Sequence, residues 1–246
     1  MELKERTRSI LECGIRHFIE TGEPITSKDL FEKYDFGIRP AMIRAELNLL
    51  GDKGFFTQNH PSGGRIPTAK GYRFFVDHLL NDLSVVSANP RMAVYAGELA
   101  AELRRGETKS FIEELSRHLE LFGVGYGAHE ARVYESGIYD LFCRINTGEK
   151  SDFLDIVRDL EFIESRIDDT DRWWLAEETW PQVFIGESPV TKSKQLSVIA
   201  NRFDVAGNPF LLLMIGPIRM DYEKSFKFLQ AVNQSIQKRN EYGTRK

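Results

Sequence analysis

Cysteine is nearly absent. Cys13 and Cys143 are the only two, too few for a disulfide framework and suited to a reducing compartment. Long apolar runs are missing as well. No stretch approaches ~18 uninterrupted apolar residues, so no membrane span is expected, and the opening MELKERTRSI lacks the apolar core of a signal peptide. Positive charge is not in surplus: 33 Lys+Arg stand against 37 Asp+Glu, a net of −4, which excludes a general polycation. Catalytic signatures are missing too, with no Gly-x-Ser-x-Gly elbow and no His-Glu-x-x-His helix. The five histidines are His17, His60, His78, His118 and His129. Cys13 and His17 share a helix face at metal-compatible spacing, but no second pair completes a zinc site. Asp168-Asp169-Thr170-Asp171 lacks the order of a calcium loop. The expectation is a soluble, cytoplasmic protein that is not an enzyme and carries no metal or cofactor.

What is present suits a folded chain. At 246 residues and 41% apolar content, roughly 70% of the unfolded surface can be buried. Residues 1–84 hold twelve basic and twelve acidic groups. Within them, Arg39, Arg44, Lys53, Arg65, Lys70 and Arg73 face only Glu46 and Asp52, a local +4 over residues 39–75. A polyanion would have to meet that one face.

Apolar spacing predicts a helix over 3–20 through Ile10, Leu11, Ile15, Phe18 and Ile19, ended by Thr21-Gly22-Glu23-Pro24. Thr26 and Ser27 can cap a short helix over about 27–34. Arg39-Pro40 opens a third, with Ile43, Leu47 and Leu50 inward and Ala41, Ala45, Asn48 and Asp52 outward. Arg44 flanks that slim outer face. Phe55–Gln58 and Arg65–Pro67 read as two strands around the turn cluster Asn59-His60-Pro61-Ser62-Gly63-Gly64. Thr68 caps a fourth helix. This order is that of a winged helix-turn-helix, whose third helix enters the major groove while the hairpin follows the backbone or minor groove.

Two blocks of residues then carry a specific likeness. The first is Thr21-Gly22-Glu23-Pro24, Ala41-Met42-Ile43-Arg44 and Gly63-Gly64-Arg65-Ile66-Pro67-Thr68-Ala69-Lys70-Gly71-Tyr72-Arg73-Phe74. The second is Val183–Glu187, Leu196–Ile199 and Ile215-Gly216-Pro217-Ile218-Arg219-Met220-Asp221-Tyr222. Both resemble the heat-inducible transcription repressor HrcA family, over residues 1–84 and about 130–240. The resemblance implies a dimeric repressor of chaperone genes on an inverted-repeat operator, a GAF-like C-terminal part, and a chaperonin that keeps the repressor active. The chain departs from the family in two places. Arg39, Pro40, Met42 and Ala45 stand where the family favours small polar residues. The region 85–135 is short, without room for the segment usually inserted for dimerisation.

The expected architecture is α+β: a winged-helix domain over 1–84, a helical linker over 85–130 and a GAF-like domain over 131–246. Helices are expected over Pro90–Arg105, Thr108–Phe122, Gly137–Ile145 and from Ser151 through Ile163, and a last one capped by Asp221. Strands are expected over Gln182–Ile185, Gln195–Asp204 and Pro209–Ile215, with Ala206-Gly207-Asn208 as a turn. Gly123-Val124-Gly125-Tyr126-Gly127 has no phosphate-loop Lys-Ser/Thr after it and reads as a flexible linker or shortened loop. Trp173, Trp174 and Trp180 read as packing rather than pocket lining.

The expected interface takes Arg39, Pro40, Ala41, Arg44 and Asn48 from the third helix. It takes His60, Ser62, Gly63, Gly64 and Arg65 from the wing, and Lys28, Lys70 and Arg73 as nearby backbone charge. The expected partner is double-stranded DNA, met by a homodimer and not by a membrane-bound protein. A rival reading keeps the winged helix for protein contacts, in a ligand-sensing or docking module.

Overall fold

A computed structural model of the chain describes residues 3–58, 60, 63–82, 89–127, 132–145, 150–169, 180–205 and 207–243. They fall into two compact units, divided between Asp82 and Leu83.

Unit 1 is built from α1 (Glu5–Thr21), α2 (Ser27–Lys33), α3 (Pro40–Asp52), β1 (Phe56–Thr57), β2 (Ile66–Pro67) and α4 (Ala69–Asp82). Local chemistry sets most of these limits. Gly22, at φ 72°, closes α1 with its N–H on the Phe18 carbonyl at 2.8 Å, a conformation glycine adopts without a Cβ penalty. Thr26 and Asp29 form a reciprocal capping box at the start of α2. Pro40 occupies the first turn of α3, where its missing N–H costs nothing. The Thr68 hydroxyl donates to the Gly54 carbonyl at 2.7 Å and accepts the Gly71 N–H at 3.1 Å. Ile10, Leu11, Ile15, Ile25, Leu30, Ile43, Leu47, Leu50, Phe56 and Phe75 are buried. That core seats β1 and β2, which pair antiparallel.

Unit 2 contains α5 (Pro90–Arg104), α6 (Thr108–Leu119), β3 (Phe122–Gly127), β4 (Arg132–Ser136), α7 (Ile138–Arg144), α8 (Lys150–Glu161), α9 (Ile163–Asp169), β5 (Gln182–Ile185), β6 (Leu196–Val205), β7 (Asn208–Pro217) and α10 (Tyr222–Gly243). The five strands form one antiparallel sheet in the order β4-β3-β7-β6-β5. Val124, Tyr126, Val198, Leu211, Leu213 and Ile215 share one buried cluster with Leu141, Ile156, Ile163 and Ile167 from α7–α9. Across the sheet, α6 packs on β3 and β4, and α10 packs on β6 and α5. Strands buried on both faces read as continuous apolar runs, which is how Leu211-Leu212-Leu213-Met214-Ile215 reads.

Several expectations need correction. Gly123–Gly127 is not a loop but β3, a strand flanked by β4 and β7. Its glycines are required by α6: a Cβ on Gly123 would stand 2.3 Å from Ser116 Oγ, and one on Gly125 2.7 Å from Ile112 Cδ1. The helix expected over Thr108–Phe122 therefore ends at Leu119, with Glu120 left-handed at φ 56°. Of residues 85–130, expected as a helical linker, 90–127 carry α5, α6 and β3 of unit 2. Strand β4 was not foreseen. The helix expected from Ser151 through Ile163 starts at Lys150 and breaks at Phe162 into α8 and α9. Trp180 is half-buried, with the Arg202 guanidinium 5.9 Å from its ring centre. Trp173, Trp174, His129, Ala206, Thr170 and Asp171 lie outside the described residues. Among the described residues no helix is long and apolar enough to cross a membrane.

Candidate nucleic-acid interface

α3 turns Ile43, Leu47 and Leu50 into the core. That leaves Arg39, Pro40, Ala41, Arg44, Ala45 and Asn48 exposed. At 100° per residue Arg44 and Asn48 lie one turn apart on the same outer line, with Ala41 beside them. Ala41 and Ala45 add little bulk to that face.

The hairpin is fastened by backbone to the segment before α2 and by a side chain to α3. Ile25 and Arg65 exchange both backbone hydrogen bonds, each at 2.8 Å. The segment before α2 thus holds the base of the wing. The approach is close: a Cβ at Gly64 would stand 2.6 Å from the Pro24 carbonyl oxygen. The Arg65 guanidinium donates from Nη2 to Asn48 Oδ1, which joins wing to helix. Gln58 Nε2 donates to the Gly63 carbonyl at 2.6 Å across the hairpin. Together Arg44, Asn48, Gly63, Gly64 and Arg65 line an open cleft of about 280 Å³ with Ile25, Thr26, Ser27 and Gln58.

Electrostatically the cleft holds two like charges close together. Partial burial is the main cause that lowers the Arg65 pKa from its ordinary value; the Arg44 charge lowers it further, and Asp52 opposes both. A guanidinium cannot shed its proton in this range, so the cleft keeps both positive charges, with Asp52 offsetting them only in part. An incoming anionic group would offset the rest.

Five of the residues expected from sequence are therefore brought together. Others stand apart from the cleft. Lys70 reaches the Lys53 carbonyl at 2.7 Å and lies 4.8 Å over the Phe55 ring, tying α4 to the hairpin base. Lys28 sits within 3.8 Å of Glu32 one turn on. Arg73 is exposed on α4 and His60 at the hairpin tip. Ser62 lies outside the described residues. Thr26, Ser27 and Gln58 were missed as lining residues, since Thr26 and Ser27 signalled only a helix cap. Among the described residues no group of three or more His, Cys, Asp or Glu side chains could hold a metal ion.

The family model described as HrcA protein C terminal domain matches residues 73–226. Curated relatives named heat-inducible transcription repressor HrcA match over about a third to a half of this chain. The one from Leptospira biflexa is 49% identical over 80 residues, 32% of this chain and 23% of that protein. The one from Chloroflexus aggregans is 43% identical over 90 residues, 37% of this chain and 24% of that protein. The one from Alkaliphilus metalliredigens is 38% identical over 121 residues, 48% and 34% respectively. The chain thus spans about a quarter to a third of the length of these relatives. A crystal structure of a hypothetical protein shares the fold, with a TM-score of 0.72 at 17% identity over 96% of this chain and 98% of that one. With the family's own C-terminal domain matched across 73–226, well over half its length, the chain belongs to the HrcA family.

Proposed function

We propose that this protein is a DNA-binding transcriptional repressor of heat-shock or chaperone genes. It docks as a homodimer on an inverted-repeat operator. In this reading residues 1–84 are a winged helix-turn-helix, with α2 and α3 as the two-helix element and β1–β2 as the wing. Residues 131–246, joined by α5, α6 and β3, are a GAF-like domain. The names of the curated relatives support the regulatory role.

The observation that carries the proposal is the hydrogen bond from Arg65 to Asn48 inside the polar cleft. It joins a wing arginine to the exposed face of α3. α3 enters the major groove because Ala41 and Ala45 let its backbone approach. Asn48 offers the donor–acceptor pair that matches the adenine edge, and Arg44 the fork that matches guanine. Arg65 exchanges Asn48 for phosphate or a minor-groove edge. Arg39, Pro40, Ala41, Gly63 and Gly64 frame the contact, and Lys28, His60, Lys70 and Arg73 lie farther out on the same domain. Two copies present two helices about 34 Å apart, or a multiple of that. Occupancy blocks the promoter, and chaperonin sustains the binding form; adding active chaperonin should raise operator occupancy.

The test is a gel-shift titration at ~150 mM salt, using an inverted repeat selected from a random pool. A preference of about 10³ or more over random DNA is expected. Equal binding to both, at about 10⁻⁴–10⁻⁶ M, would reject the reading.

A further inference from the structure

We propose that the outer face of α8 is a docking surface for a second copy of this chain, packed antiparallel about a two-fold axis near residues 155 and 156. The helix is apolar on two sides. Ile156 is fully buried against the sheet, and Ile163 beyond the break follows it. Phe153, Leu154 and Val157 are nevertheless 42%, 49% and 38% exposed. Lys150, Leu154, Val157 and Glu161 follow at spacings of four, three and four. At 100° per residue they fall on one straight line within about 60°. That is the spacing of a helix–helix seam.

The charge pattern selects the occupant. Lys150 and Glu161 are exposed at opposite ends of the line. Residues 150 and 161 share a midpoint with 154 and 157. Antiparallel pairing of two identical helices about that midpoint sets Leu154 against Val157 of the second copy. It sets Lys150 against Glu161 at both ends, about 16 Å apart. Parallel pairing would instead oppose like charges. A two-fold interface must be self-complementary in this way.

One helix pair buries less than the ~800 Å² per partner of a standard interface. The face extends onto α7, where Ile138 and Tyr139 are 51% and 77% exposed. Phe142 connects the two helices, its ring 5.4 Å from that of Phe153. The result is a concentration-dependent dimer. The proposal rests on the repressor reading only in that an inverted repeat calls for a two-fold dimer.

Sedimentation equilibrium of the full chain over a wide concentration range tests it, with circular dichroism to confirm folding of each variant. Val157→Asp should leave a folded monomer. Lys150→Glu or Glu161→Lys alone should raise the dimer dissociation constant at least ~tenfold, because both ends then hold like charges. The double reversal should return it to near the starting value. A chain that is monomeric throughout, or dimers indifferent to these variants, would overturn the proposal while leaving DNA binding intact. Dimers that respond as described, in a protein with no preference for its selected DNA, would sink the repressor reading alone.

Discussion

Two arginines bridge distant parts of the chain, one in each unit, and they differ in what surrounds them. In unit 1, Arg65 reaches Asn48 across an open cleft. In unit 2, Arg166 Nη1 donates to Asp159 Oδ1 at 2.6 Å and to the Val190 carbonyl at 2.8 Å, with Asp159 only 2% exposed. Asp159 also accepts the Lys192 N–H on both oxygens at 2.9 Å and the Ser193 N–H at 2.7 Å. The buried aspartate has every oxygen engaged, and it pins α8 and α9 to the loop before β6. The half-buried arginine of the open cleft has a neutral partner that it can leave. An arginine within a closed set of partners serves the fold, while one held by a single neutral side chain at the surface is free to change partners.

The sharpest test of this contrast is the buried one. Asp159→Ala strands the Arg166 charge and the Lys192 and Ser193 backbone N–H groups, and should cost about 3–5 kcal/mol in chemical denaturation. Replacing both residues, as Asp159→Leu with Arg166→Met, should recover at least ~1 kcal/mol of that loss. A single substitution within ~0.5 kcal/mol of the parent would show that the buried cluster is not structural.

At the open clamp the effects should separate from stability. Asn48→Ala is expected to lose about 1–3 kcal/mol of discrimination at one base pair of each half-site. Arg65→Ala should weaken binding to all sequences and reduce the salt slope by about one unit. Neither should shift folding stability by more than about 1 kcal/mol, as for other exposed polar pairs. If Arg65→Ala destabilised the fold as much as Asp159→Ala, the two clamps would not differ in kind.

Much of unit 1 is legible along the chain because its signals are local. The Thr26–Asp29 box, Pro40 at the head of α3, and the Ile43, Leu47 and Leu50 spacing each set a boundary or a face by themselves. The α3 and wing part of the cleft follows from those faces. Thr26 and Ser27 escape because they reach the cleft only through the Ile25–Arg65 bridge, a contact between segments forty residues apart, and Gln58 because it reaches the cleft through its side-chain bond to Gly63 across the hairpin. Unit 2 depends more on such contacts. The glycines of β3 look like loop residues until α6 lies across them. β4 has a single β4–β3 pairing at the sheet edge, with Arg132 and Glu135 exposed, so little apolar alternation marks it. α8 reads as one long apolar helix because Leu154 and Val157 face outward while Ile156 faces in, and residue types alone do not separate the two sides.

The smallest expected effect is a pH response at the edge of the closed unit. The His118 ring stacks on Phe228 at 4.1 Å and on Tyr95 at 5.3 Å. Desolvation by these neighbours lowers its pKa below the ordinary histidine value, and the Lys224 charge lowers it further. Glu114, one turn earlier on α6, is already engaged by Arg117 and the Tyr95 hydroxyl. With the folded-state pKa depressed, the unfolded chain binds the proton more readily. Stability is therefore unaffected above the unfolded pKa of about 6.5. It falls as pH drops through that value and levels off below the folded one. Because the ring is partly solvated, the loss should stay below about 1 kcal/mol. His118→Gln should flatten that segment of the stability–pH curve, which begins below about pH 7. Lys224→Gln should shrink it without abolishing it, since burial is the larger cause. An unchanged curve in His118→Gln would place the acid response elsewhere and leave unit 2 closed to protons at this edge.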